Sequence, residues 1–366
     1  MPPVELLGEA ERMMRICNAC RYCEGFCAVF PALERRRVFE DCDLIYLANL
    51  CHDCRDCYYA CQYAPPHEFD LNIPKIFQEL RVATYKDFVW PGFFAGLFQR
   101  NGLAVTLITV VVTLIVIMTV SFQGVSAVFS SHLGEGAFYA VIPWRLIVLP
   151  TSLIVLWGLV VILLGVIRFW RTTGGINGRR IKARVFMGAT WDMLMLRYLK
   201  GGGYGCNFPD ERFSHARRRL HHLVFYGFLF CISATAAAMV YEHFFHRVAP
   251  YPFWSLPVML GTFGGAALLV GSGGLFWYKR QSDPAPANPH LHGLDFGFLA
   301  LLFLTSFTGM ILLILRGTFA MGFLLAVHFG LVLSLFITLP YGKFVHATYR
   351  YTALVQNAME QSGEEK

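Results

Sequence analysis

The sequence predicts an all-α protein in two parts, a short cysteine-rich helical module followed by a bundle of six membrane-crossing helices. Two observations carry this reading. Eight of the eleven cysteines fall into two copies of one spacing, Cys17-x2-Cys20-x2-Cys23-x3-Cys27 and Cys51-x2-Cys54-x2-Cys57-x3-Cys61. The remainder is dominated by uncharged apolar runs. Of the 366 residues 56% are hydrophobic and only 15% are charged, too apolar for a soluble two-domain chain.

Each cysteine copy has the thiolate spacing that wraps a cubane iron–sulfur cluster. The first three sulfurs sit on one tight turn and reach three irons of one cube. The fourth lies too far along that turn to close it easily, and in two-cluster ferredoxins it ligates the other cluster. The expected ligand sets are therefore crossed: Cys17, Cys20, Cys23 and Cys61 on one 4Fe–4S cluster, and Cys51, Cys54, Cys57 and Cys27 on the other. Structural zinc is the alternative, but its sites usually show two CxxC halves separated by a longer loop. A third cysteine at the same short step, present in both copies, argues against it.

The proline that often follows the fourth cysteine is replaced by Ala28 and Gln62, with prolines slightly later at Pro31 and Pro65-Pro66. They still end a helix there. Val38 to Leu50 reads as an amphipathic helix, with Phe39, Leu44, Leu47 and Leu50 near helical spacing. No strand-like alternation lies between the motifs, which favours an all-helical ferredoxin module. Cys42 reads as a buried small hydrophobe and not a ligand. His52 and His67 flank the second motif and are expected to tune a cluster by hydrogen bonding. Arg21 and Arg55, each beside a motif cysteine, would raise a cluster's potential by stabilising its reduced, more negative state.

Six runs are long enough to cross a bilayer, which takes about 20 residues. They are Leu103–Phe122, Leu146–Ile167, Leu223–Tyr241, Phe253–Tyr278, Phe296–Leu315 and Thr318–Gly342. Pro143 and Pro150 interrupt the second. The fourth is glycine-rich (Gly261, Gly264, Gly265, Gly271, Gly273, Gly274), which lets helices approach closely. The opening Met1 to Arg15 carries charges and lacks the apolar core of a signal peptide. The module is thus expected in the cytoplasm, where reduced thiols belong. Lys and Arg crowd one loop region (Arg168, Arg171, Arg179, Arg180, Lys182, Arg184, Arg197, Lys200, Arg212, Arg217, Arg218, Arg219), while the opposite loops hold Arg145, Arg247 and Arg316. This is the positive-inside pattern of an inner (cytoplasmic) membrane protein with both termini cytoplasmic. The net charge of +7 follows from topology and lipid contact, and needs no nucleic-acid partner. The expected division is residues 1–92 for the module, 93–170 for two transmembrane helices, 171–216 for a basic, glycine-rich cytoplasmic loop, 217–346 for a four-helix membrane core and 347–366 for a cytoplasmic tail.

Ionisable residues at span ends are functional candidates by default. His222, with His221 beside it, opens the third span and His243 closes it. His328 lies within the sixth and His346 just past its end. His328 and His346 are eighteen positions apart, about 27 Å and five full turns of helix, so both face one way. His222 and His243 are twenty-one apart, close to six turns. The two helices run oppositely, so His222 pairs with His346 at one membrane face and His243 with His328 at the other, a common way to hold b-type haem in a bundle. His221 can replace His222 and His246 can replace His243. The competing reading is of solvated interfacial histidines, except for His328, which sits in an apolar run and needs a partner. His132, His215, His290 and His292 are expected at loop surfaces. The stretch Gly201 to Pro209 lacks the order and preceding strand of a nucleotide loop. It reads as a docking surface for the module or as a flexible linker. Cys206 within it is too isolated for a metal site, and Cys231 is most simply a packing residue.

The twin cysteine motifs, together with Gly201-Gly202-Gly203-Tyr204-Gly205-Cys206-Asn207-Phe208-Pro209 and Arg218-Arg219-Leu220-His221-His222-Leu223-Val224-Phe225-Tyr226-Gly227-Phe228, resemble the tricarballylate utilisation protein B family, also called the citrate-utilisation iron–sulfur membrane proteins. The last four spans are similar to the gamma subunit of respiratory nitrate reductase and the membrane subunit of heterodisulfide reductase. That similarity rests on His328 and His346, and on Asp295-Phe296-Gly297-Phe298-Leu299 with Thr308-Gly309. It implies a cytochrome-b-like core with b-type haem. Ile232 stands where that pattern has a second histidine in the third span, which bears on the outer haem. The resemblance also implies a partner, an FAD-dependent dehydrogenase acting on tricarballylate, whose reduced flavin is reoxidised with quinone as the diffusible acceptor. The expected protein is thus an electron conduit without substrate chemistry of its own. Its rivals are a cluster-based, disulfide-type reductase, an iron–sulfur redox sensor in the membrane, and a transporter, against which the absence of a convincing repeat speaks.

Overall fold

The computed structural model describes residues 2–122, 124, 128–175 and 182–364. Arg179 and Arg180 of the basic loop lie outside the described residues. The N-terminal module is built from α1 (Val4–Cys20), α2 (Val29–Glu34), α3 (Asp41–Leu50), α4 (Asp56–Tyr59) and α5 (Ile73–Phe88). Local chemistry sets these limits. A capping box between Glu40 and Asp43 starts α3 at Asp41, three residues later than the periodicity from Val38 implies. Asn72 caps α5 by accepting from the Lys75 amide at 3.2 Å, with Pro74 in the first turn.

Six helices are long and apolar enough to cross a membrane among the described residues: α6 (Asn101–Ser121), α8 (Trp144–Thr172), α10 (Ala216–Phe245), α11 (Leu256–Arg280), α12 (His292–Leu315) and α13 (Met321–Thr338). Two shorter helices, α7 (Ala137–Val141) and α9 (Ala183–Leu194), sit in the connections. Each span matches one apolar run of the sequence. Pro150 lies inside an unbroken α8, and Pro143 is its N-cap. The glycines of α11 serve close packing. A Cβ at Gly264 would stand 2.8 Å from the Gly227 carbonyl of α10, and one at Gly271 would stand 2.8 Å from the Val224 amide. Leu107, Leu149, Leu156 and Leu163 are exposed, as lipid-facing side chains are.

The C-terminal stretch expected as a tail is the helix α14 (Val345–Glu364), and it is part of the module. Ala353, Leu354 and Val355 share one apolar core with Leu33, Leu44, Tyr46 and Phe77. Arg36 pairs with Glu360 at 2.8 Å and with Asp43 at 2.5 Å, and Arg35 donates to Asn357 at 3.1 Å. The only strands among the described residues are β1 (Cys206–Asn207) and β2 (Phe213–Ser214), an antiparallel pair in the glycine-rich loop.

Candidate functional site

Cys17 and Cys20 sit in the last turn of α1. Arg21 ends that helix in the left-handed region at φ 57°, and the chain turns so that Cys23 faces back toward them. In the second copy Asp53 (φ 56°) and Arg55 (φ 68°) make the corresponding turns. Cys17, Cys20, Cys23 and Cys61 line one cavity of about 260 Å³, with Cys57 on its wall. Cys27, Cys51, Cys54 and Cys57 line a second, tighter one. The fourth cysteine of each copy therefore lies with the triplet of the other. Cys20 is exposed whereas Cys51 and Cys54 are buried, so one group is shallow and the other deep.

Burial pushes the Cys17 and Cys23 thiols up to about 12, and neighbouring cysteine sulfurs add to the shift. Burial likewise pushes Cys27, Cys54 and Cys57 up. Clustered thiols of this kind ionise only against concentrated positive charge, which an iron–sulfur core provides. The donor set thus fits such a cofactor. Among the described residues no three or more His, Cys, Asp or Glu side chains gather on a single-ion position. A cube offers four separate irons, so its thiolates stand wider apart.

The deep group is where the module meets the membrane bundle. Asp56, between Cys54 and Cys57, accepts from the Gly202 and Asn207 amides at 3.1 Å each, and the Asn207 amide also lies 3.1 Å from the Cys54 carbonyl. The glycine-rich loop is thus docked on the second cysteine motif. Gly201 is required there, because its φ is +56° and a Cβ would overlap the Asp56 carboxylate. Cys206 is buried beside Cys54 and donates to the Leu199 carbonyl at 3.2 Å. Cations surround this junction. Arg55 is 1% exposed and lies 4.6 Å over the Phe208 ring. Arg217 donates to the Asp53 carbonyl and also stacks on Phe208. Arg81 and Arg350 donate to the Cys51 carbonyl at 3.5 and 2.8 Å. Among the described residues no charged side chain lines the shallow cavity, and Arg21 is turned out to the Asn18 carbonyl. Of the two arginines expected to act on a cluster, only Arg55 faces its cysteines. His52 lies against the deep group, bonded through Nδ1 to the Leu50 carbonyl at 2.8 Å, whereas His67 accepts from the Phe69 amide. Cys42 is half-buried, with Sγ 3.7 Å from a Glu40 carboxylate oxygen, and is less enclosed than expected.

The histidines are sorted by the rotation of α10. His221, not His222, approaches His346. The His221 Nδ1 is buried without a partner. His346 donates from Nδ1 to the Lys343 carbonyl, which leaves Nε2 as its free lone pair. Burial holds His346 well below the usual histidine range, helped by Arg350, Lys343 and His221, so the ring is neutral as a metal ligand must be. His222 instead lies beside Tyr226, 5.9 Å between ring centres. His328 bonds to the Thr308 hydroxyl at 3.1 Å and lines a cavity of about 440 Å³ with Cys231 and Gly309. A Cβ at Gly309 would come 2.9 Å from the His328 ring, which explains the Thr308-Gly309 pair. His243 is not on that cavity's wall. It is exposed, donates to the Met239 carbonyl at 3.0 Å and sits 6.0 Å from the Trp144 ring. His246 ends α10 in the left-handed region. Of the two histidines weighed on α10, His221 is thus the one whose charge is felt at His346, and His243 does not share the cavity lined by His328. His292, expected at a loop surface, opens α12 half-buried. A further unforeseen feature is Asp295, held between Lys279 at 2.5 Å and Lys343 at 2.6 Å at the module end of α11, α12 and α13.

Comparison with known proteins gives these observations a context. Residues 10–87 match the family model described as Citrate utilization protein B Fer4-like domain, and residues 96–365 match that described as Citrate utilization protein B. A Citrate utilization protein B of Escherichia coli is 44% identical over 354 residues, which cover 96% of this chain and 92% of that protein. No solved structure matches. With a Fer4-like domain holding clustered cysteines and a six-helix apolar bundle behind it, the chain belongs to the citrate utilization protein B family.

Proposed function

We propose that this chain is a membrane electron-transfer protein that reoxidises the reduced FAD of a partner dehydrogenase and delivers the electrons to the quinone pool. A tricarballylate dehydrogenase is the partner the family resemblance implies. In this reading Cys17, Cys20, Cys23 and Cys61 hold one 4Fe–4S cluster, Cys51, Cys54, Cys57 and Cys27 hold a second, and His221 with His346 holds b-type haem. When bound, these groups supply reversible one-electron transfer. The orientation that suits this function places the module, and both termini, in the cytoplasm.

The observation that carries the proposal is the graded burial of the two cysteine groups. Cys20 is exposed, where a soluble flavoprotein can approach, and Cys54 is buried against the loop that leads into the third span. Backbone amides, the Arg55, Arg81, Arg217 and Arg350 guanidiniums and the His52 ring enclose the deep group, and the guanidiniums stabilise negative charge gained there. The shallow group lies among uncharged side chains.

The test is anaerobic purification followed by metal analysis and reduced-minus-oxidised spectroscopy. About nine iron and eight acid-labile sulfide per chain are expected, eight of the iron from two cubes and one from haem. Reduction by the reduced flavoprotein, with a b-type α-band, is expected as well. Stoichiometric zinc with negligible sulfide would refute the proposal.

A further inference from the structure

The basic, glycine-rich stretch contains one helix, α9, whose outer face the rest of the chain leaves uncovered. Its inner face is packed. Ala189 is buried, the Thr190 hydroxyl lies 2.7 Å from the Tyr351 hydroxyl of α14, and Phe186 meets the Tyr351 ring edge-on at 6.0 Å. The outer face is apolar. Ala183, Met187 and Trp191 recur every four residues and so share one side of the helix. Met187 is 62% exposed and Trp191 61%, and Phe186, at the edge of that side, is 49% exposed. A contiguous strip of this kind marks a face that meets something apolar.

Two hydrogen bonds set the level at which the strip lies. The Tyr226 hydroxyl donates to the Leu194 carbonyl at 3.0 Å, and Arg218 donates to the Met195 carbonyl at 2.6 Å. On α10 these two residues straddle the point where charge stops. Arg217, Arg218 and Arg219 precede it, and the uncharged run Leu223–Tyr241 follows. The end of α9 is therefore held where the third span enters hydrocarbon. Leu223, Leu229 and Phe230, three or four residues from Tyr226 and so on its side of α10, are exposed, which makes the strip continuous with a lipid-facing surface. Asp192, the one acid of α9, is paired with Arg197 at 3.2 Å and bonded by the Tyr198 hydroxyl at 3.4 Å, which leaves no bare anion at this depth. Lys182 and Arg184, at the other end, are exposed. Tryptophan on an apolar face with cations beside it is the composition of a helix seated in a membrane interface.

We infer that the outer face of α9 is seated in the phospholipid headgroup and upper acyl layer on the module side of the bilayer. Trp191 lies deepest, and Lys182 and Arg184 lie among the phosphates. Lipid thereby holds α9 from outside while Thr190 and Phe186 hold α14 from within, and α14 carries Arg350 to the Cys51 carbonyl. The module is thus tied to the bilayer by more than its covalent link to the first span. This placement depends on the bilayer around the six spans and on no cofactor.

The test uses the full wild-type chain in nanodiscs of phosphatidylcholine and phosphatidylglycerol, given a brief pulse of hydroxyl radicals and read by peptide mass spectrometry. Met187 and Trp191 are expected to oxidise at least tenfold more slowly than in the unfolded chain. Tyr204, 78% exposed on the glycine-rich loop, is expected to react nearly as fast as when unfolded. A photoreactive benzoylphenylalanine in place of Met187 or Trp191 then identifies the neighbour. Phospholipid adducts are expected at both positions, at least tenfold above the yield from the same group at Val38, an exposed position on the module. Unprotected oxidation of Met187 and Trp191, lipid adducts no more frequent than at Val38, or cross-links to a second copy of the chain in place of lipid would each overturn the inference.

Discussion

Replacing Asp295 with Asn puts the sharpest strain on this architecture. The wild-type carboxylate sits between two ammonium groups, 2.5 Å from Lys279 and 2.6 Å from Lys343, with its side chain only 10% exposed. At an effective dielectric of about 20, each contact is worth roughly 6 kcal/mol of Coulomb attraction. Removing three ions from water offsets most of this gain, so the triad's net contribution is small. Loss of the single anion is a different matter. It leaves two cations buried side by side, and breaking such a pair costs about 3–5 kcal/mol. Unfolding by SDS titration in mixed micelles, read by tryptophan fluorescence, should show a loss of that size for Asp295→Asn. The triple variant Asp295→Leu, Lys279→Met, Lys343→Met should recover most of it, because no ion is left unpaired. A loss below about 1 kcal/mol for Asp295→Asn, or a triple variant no better than the single, would refute the reasoning.

Other perturbations address the module. Arg350→Gln removes a cation bonded to the Cys51 carbonyl, so the deep cluster should become harder to reduce while the shallow one is unchanged. A potentiometric titration followed by EPR should show one midpoint falling, by about 59 mV if the reduction equilibrium weakens tenfold. Arg350→Lys should restore much of it. Cys20→Ala, at the exposed rim, should lower iron and sulfide content while the deep group's signal persists. Gly201→Ala sets a side chain against Asp56 at a positive φ, and should release the loop from the second motif at a cost of about 1–3 kcal/mol, seen as faster proteolysis between Leu199 and Arg212. Glu360→Gln, which weakens the half-buried pairing with Arg36, should cost about 1 kcal/mol in the same unfolding assay.

Much of this was legible in the chain because it depends on short-range pattern. Thiolate spacing is a local geometric statement, and the crossed grouping of Cys27 and Cys61 follows from it. Uncharged runs of bilayer length located all six spans, with ends within seven residues of those found, since burial in lipid needs no partner to be specified. What the sequence left open was rotational or long-range. His221 and His222 are neighbours about 100° apart around a helix. The choice between them is made by the face of α10 that carries Leu220, Val224, Gly227 and Cys231 against the glycines of α11. Arg350 read as part of a polar tail because its partner, Cys51, lies about 300 residues earlier.

The last helix completes the first domain. Because α14 supplies Ala353, Leu354 and Val355 to the core beneath α2 and α3, and Arg350 to the backbone at Cys51, a nascent chain cannot finish its N-terminal module until the membrane-embedded middle has been made and inserted. Closure of that core is thereby tied to the end of translation, and a truncated product stranded in the bilayer would leave the apolar faces of α2 and α3 uncovered.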